Sequence, residues 1–163
     1  MEIKLPLYDL LNRFLVGLVF IGCVFIINYS WFKPYLKKEY FDALSTGPEI
    51  LIIICVFAIT YEIGLIINRI SSVVFEPVLK KMHIIPFNQD YKRFNEIKKE
   101  YPIIDTLSRE YALSRTSLSL FVMLTVIALC GENKILSIPF IILAFVFLLS
   151  LRKYGGRIVE LMK

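Results

Sequence analysis

Apolar residues gather along the chain in four blocks separated by charged stretches, at positions 14–32, 50–70, 116–131 and 135–151. A helix that crosses a bilayer needs ~20 largely apolar residues at about 1.5 Å rise each. Each block therefore predicts a transmembrane helix. The last two are short and are joined only by Glu132, Asn133 and Lys134. They read as one helical hairpin that calls for local bilayer thinning or support from neighbours. No stretch alternates apolar and polar residues long enough for a sheet. The predicted class is all-α: a polytopic membrane protein with four transmembrane helices in a single domain over 1–163.

The segments between the blocks complete this layout. The lead LPLYDLLNRF has Pro6 in a first helical turn and Asp9 four residues before Arg13, and is expected to lie in the membrane interface before the chain turns inward. No small-residue cleavage pattern follows the first block; Tyr29, Trp31, Phe32 and Tyr35 follow instead, as an aromatic belt on a retained anchor. A loop over 33–48 leads to the turn Thr46-Gly47-Pro48-Glu49, which starts the second helix. The one substantial element outside the blocks is a helical loop at about 71–117. Within it VVFEPVLKK extends the second helix until Pro77 bends it, and QDYKRFNEIKKEY forms a short charged helix ended by Pro102. One long helix over about 104–129 then carries the chain back into the third block.

Polar residues inside the blocks are few, and the second block holds the most informative. In FAITYEIGLIINR, Glu62 lies ~18 Å along the helix from Ile50 and Arg69 ~28 Å, against a hydrocarbon thickness of ~30 Å. Arg69 reaches the interface by extending its side chain, whereas Glu62 is just past the midplane and must face protein or water. Its candidate partners are Arg69 through a relay, Asn12 or Arg13 of the first helix, or a second copy of the chain. Thr60, Gly64 and Asn68 recur at four-residue steps as a small-polar stripe, which lets helices approach closely and hydrogen-bond. Two roles stay open for this set, helix packing or an ion path. The near absence of polar residues in the other blocks favours packing.

Composition agrees with the pattern: 57% of the 163 residues are hydrophobic, more than a soluble domain of this size hides. The net charge of +5 is explained by orientation. With both termini cytoplasmic, fifteen of the nineteen Lys and Arg residues fall on the inner side, and only Lys33, Lys37, Lys38 and Lys134 fall outside. Direct nucleic-acid binding is not expected. Cys23, Cys55 and Cys130 show no metal or disulfide spacing and read as buried apolar fillers. His83 is the only histidine, so a histidine metal site or a catalytic triad has little to build on. Asp9, Asn12, Asn68, Arg69, Arg109, Glu110 and Arg115 gather at the inner face by topology and could hold a phosphate head group. No catalytic residue, metal or cofactor is predicted.

The helical loop is basic, with Lys80, Lys81, Lys92, Arg93, Lys98 and Lys99. Tyr91, Phe94, Ile97 and Tyr101 give it one apolar stripe. Anionic lipid, the protein's own helices and a soluble partner protein are the surfaces it could meet. A loop this long exceeds what a connection requires, which favours the partner. Four short spans enclose little volume, so the intramembrane polar groups are best satisfied in a cyclic homo-oligomer, such as a tetramer.

With its lead LPLYDLLNRFLVG entering the first span, its inward termini and its basic loop between spans two and three, the chain resembles the small four-span membrane subunits of bacterial antiphage systems, above all that of the Kiwa system. The resemblance implies an inner-membrane homotetramer that recruits a cytoplasmic DNA-binding partner and responds to phage at the envelope. The expected function is thus a membrane adaptor or sensor subunit in antiviral defence. The alternative is a small ion-conducting or holin-like protein that depolarises the membrane.

Overall fold

The computed structural model describes residues 7–33, 46–85, 101, 103–131 and 134–161, and every regular element among them is helical. Helix α1 covers Leu7–Ile27, α2 Tyr29–Phe32, α3 Thr46–Ile70, α4 Glu76–Lys81, α5 Ile103–Cys130 and α6 Ser137–Leu161. A π-helical turn, Ser71–Phe75, joins α3 to α4, and a 3₁₀ turn, Lys134–Leu136, precedes α6. Four helices are long and apolar enough to cross a membrane. The chain is an all-α, multi-pass membrane protein.

Several elements outlast the apolar runs that signal them. Helix α1 is continuous from Leu7, so the lead from Leu7 onward is the first turns of the span and not a separate interfacial piece. It ends earlier than expected, because Asn28 turns its side chain back onto the Val24 carbonyl (3.0 Å) and breaks the helix before the block is finished. Phe25 then stacks on Phe32 (5.2 Å between centroids), with Trp31 edge-on to Phe32, so the expected belt is a small aromatic cluster. Helix α5, Ile103–Cys130, is the long helix expected over about 104–129, and α6, at 25 residues, outlasts its apolar run. Arg152, Lys153 and Arg157 ride on the last turns of α6, beyond its apolar part.

Pro77 does not end the second long helix. Proline has no N–H and its ring crowds the carbonyl four residues back. The chain absorbs this one turn earlier: the Glu76 N–H reaches the Ser71 carbonyl, five residues back, and the widened turn leads straight into α4. Helix α4 stops at a Schellman turn, in which the His83 N–H bonds to the Lys80 carbonyl and the Ile84 N–H to the Leu79 carbonyl. His83 holds the left-handed position of that turn, with φ 57°.

Two apolar clusters hold the helices together. Val16, Ile27, Ile67, Leu120, Leu124 and Ala128 join α1, α3 and α5. Leu79, Leu107, Tyr111, Leu118, Leu151 and Ile158 join α4, α5 and α6 at the other end. That second end, where α1 starts and α6 finishes, carries Arg13, Arg109, Arg115 and Arg157 and is called the basic end below. Of the cysteines only Cys23 packs against a core; Cys55 and Cys130 are exposed on the surface of the chain, not buried fillers.

Candidate functional site

The α1–α3 seam is built on the small-polar stripe. Thr60 and Gly64 are buried in it, and Thr60 satisfies its hydroxyl on the Val56 carbonyl of its own helix (2.7 Å). Gly17 and Gly64 bring the two backbones into direct contact. Asn68 extends the stripe toward α5, where its side-chain oxygen accepts a hydrogen bond from Thr116 (2.9 Å).

Below this seam, at the basic end, α1, α3 and α5 splay around a cavity of about 240 Å³ lined by Asn12, Arg13, Asn68, Ser108, Arg109 and Thr116. Arg13 donates to the Tyr61 hydroxyl across the seam (3.3 Å), and Arg109 reaches Asp105 only at 4.0 Å. Part of the polar group expected at the inner face is thus brought together: Asn12, Asn68 and Arg109, joined by Arg13, Ser108 and Thr116. Arg69 and Arg115 are not part of it. Arg13 was expected to pair with Asp9, whose side chain lies outside the described residues.

Arg115 belongs to a separate network. Its guanidinium pairs with Glu76, which also holds Lys80 at 2.8 Å, and the Arg115 and Glu76 side chains are only 14% and 18% exposed. Lys80 is therefore turned onto Glu76, with 38% of its side chain still exposed. Lys81 is exposed. Lys92, Arg93, Lys98 and Lys99 lie outside the described residues, as does the rest of the expected charged helix except Tyr101, which is exposed and not helical.

Glu62 takes neither intrachain partner. At about 100° per residue it lies almost diametrically opposite Thr60 and Gly64, and it is exposed on the outer surface of α3 with no hydrogen bond or ion pair among the described residues. Arg69 is exposed on that same side, again without a bond to Glu62. Cys55, Ile59, Glu62, Ile66, Arg69 and Val73, spaced alternately by four and three residues, form one continuous exposed stripe. The spacing was readable in the sequence; that this face is left uncovered by α1, α5 and α6 was not. A comparison with known proteins finds no matching family, no matching curated protein and no matching solved structure.

Proposed function

We propose that this chain is a membrane adaptor or sensor subunit that assembles with copies of itself and holds a soluble partner against its basic end. The observation that carries the proposal is the position of Glu62. A carboxylate near the middle of a bilayer is costly against lipid, and the described residues leave it bare on the stripe from Cys55 to Val73. A second copy related by an axis along the membrane normal places a like stripe at the same depth, so each Glu62 meets polar groups and not hydrocarbon. The heptad-like spacing suits a helix–helix seam. A tetramer is the size that the resemblance to antiphage membrane subunits implies.

The same resemblance gives the rest of the proposal: a bacterial inner membrane and a part in antiviral defence, with a DNA-binding protein as the soluble partner. Cytoplasmic termini are supported by the Lys and Arg distribution. The basic residues Lys80, Lys81, Lys92, Arg93, Lys98 and Lys99 are the candidates for the docking face. No catalytic step is part of this reading.

The test is purification in mild detergent from cells with the native operon, followed by native mass spectrometry of the intact complex. A homo-oligomer bearing a stoichiometric soluble partner, lost on exchange of Lys92, Arg93, Lys98 and Lys99 for glutamate, supports the adaptor. A monomer sinks it. A bare oligomer that conducts in a planar bilayer, with conductance altered by Glu62→Gln, replaces it with the ion-conducting alternative.

A further inference from the structure

We propose that the cavity between α1, α3 and α5 at the basic end binds a phosphoryl group. Among the described residues its polar lining is rich in donors and holds no carboxylate. Arg13 spends one N–H on a neutral acceptor, the Tyr61 hydroxyl, and among the described residues pairs with no carboxylate. Arg109 has only Asp105 at 4.0 Å, with both side chains nearly half exposed, and such a pair neutralises little. The Asn68 oxygen is occupied by Thr116, so the donor end of that amide is left for a ligand. Asn12 and Ser108 add further hydrogen-bonding groups on the rim. Two guanidiniums and an amide converging on one recess is the arrangement that takes a phosphate's oxygens, which accept several charge-assisted hydrogen bonds at once.

The volume suits this. About 240 Å³ holds several waters at ~30 Å³ each, and therefore a phosphoryl group with part of its hydration. The depth suits it as well. Arg13 precedes the apolar run of α1 and Thr116 opens that of α5, so the cavity lies where hydrocarbon gives way to head groups. Across the Arg13–Tyr61 bond lies a second recess of about 360 Å³, lined by Leu10, Leu11, Phe14, Phe57 and Tyr61 and almost wholly apolar. An acyl chain would fill that recess while its phosphate met Arg13. A soluble phosphate would leave it empty.

Delipidated full-length protein is titrated with phosphatidylglycerol and, separately, with inorganic phosphate, and bound species are resolved by native mass spectrometry. One phosphoryl ligand per chain is expected, held about tenfold more weakly after Arg13→Gln or Arg109→Gln. Arg152→Gln, at an exposed site on α6, leaves it unchanged. Phosphatidylglycerol that excess phosphate does not displace identifies a lipid as the source. Displacement by phosphate identifies a soluble ligand. Equal retention by the parent and both variants, or no binding of either probe, overturns the proposal. Should Arg13→Gln fail to fold, as read from helical circular dichroism, the half-exposed Arg109→Gln carries the test alone.

Discussion

Gly17 of α1 and Gly64 of α3 cross with no room for a methyl group on either: a Cβ on Gly17 would lie 1.8 Å from the Thr60 carbonyl oxygen, and one on Gly64 1.8 Å from that of Arg13. Such contact between backbones is how helices bind tightly in a bilayer, where the hydrophobic effect does not drive them together. Both alanine variants must push α1 and α3 apart, and each is expected to lower stability by about 2 kcal/mol. Because they injure one crossing, the double variant should lose far less than the sum. Gly22 has nothing within 4 Å of a built Cβ, so Gly22→Ala is expected to be neutral or to gain up to about 1 kcal/mol from helix propensity. Thermal unfolding in one detergent ranks all four.

Cys55 supplies a built-in reporter on the α3 stripe. If copies meet there, mild oxidation in native membranes should produce a dimer on a non-reducing gel, and Cys55→Ala should abolish it. Cys130 is also exposed but lies at the far end of α5, off the stripe, so Cys130→Ala should leave the dimer intact. A dimer that depends on Cys130 alone would place the contact elsewhere.

The Glu76 network predicts an order of severity. Arg115→Leu leaves Glu76 with Lys80, whereas Glu76→Leu strands a mostly buried guanidinium to which the described residues offer no second carboxylate. Among the described residues its Nε already lacks a hydrogen-bond partner. Glu76→Leu is therefore expected to be the more damaging, by about 3 kcal/mol against the parent. The reverse order in a denaturation series would show that Lys80 does not hold Glu76 in the absence of Arg115.

His83 occupies a left-handed backbone position that costs an ordinary residue roughly 1–2 kcal/mol. Its ring is exposed, and the Schellman turn is built from backbone groups. His83→Gly is accordingly expected to raise stability by up to about 1 kcal/mol, less what glycine loses in the unfolded chain. His83→Val should lower it. Thermal midpoints of the two variants, measured side by side, give the sign of each.

Much of this architecture was legible because it depends on local composition. The four helices follow from run length, and a close approach of some helix to α3 from Thr60, Gly64 and Asn68 at helical spacing, though not which helix. The helix ends were harder, since apolar runs mark hydrocarbon and not helix: α6 continues through Arg152 and Arg157 in spite of the Gly155-Gly156 pair, with Leu151, Gly155 and Ile158 buried along it. The cavity was half visible. Asn12, Asn68 and Arg109 could be gathered by depth, but depth does not give azimuth, and azimuth is what sends Arg69 to the outer stripe and Arg115 to Glu76. Gly17 was a missed partner for the same reason, since a lone glycine in an apolar helix carries no sign of what crosses it. That VVFEPVLKK extends the second helix was legible; the π turn just before Pro77, which absorbs the proline, was not.

That turn has a geometric result. Continuing the buried face of α3 through Ile67 and Ser71 at α-helical spacing would bring Val74 and Val78 inward, yet these are 51% and 50% exposed and Leu79 is buried at 8%. The π turn therefore acts as a one-residue frameshift written into a single helix, with the membrane half and the projecting half read in different phases. Were the turn to relax to regular α-helix with no residue lost, everything beyond it would rotate by about 100°. Glu76 would swing away from Arg115, and the basic loop would leave the bundle pointing in another direction.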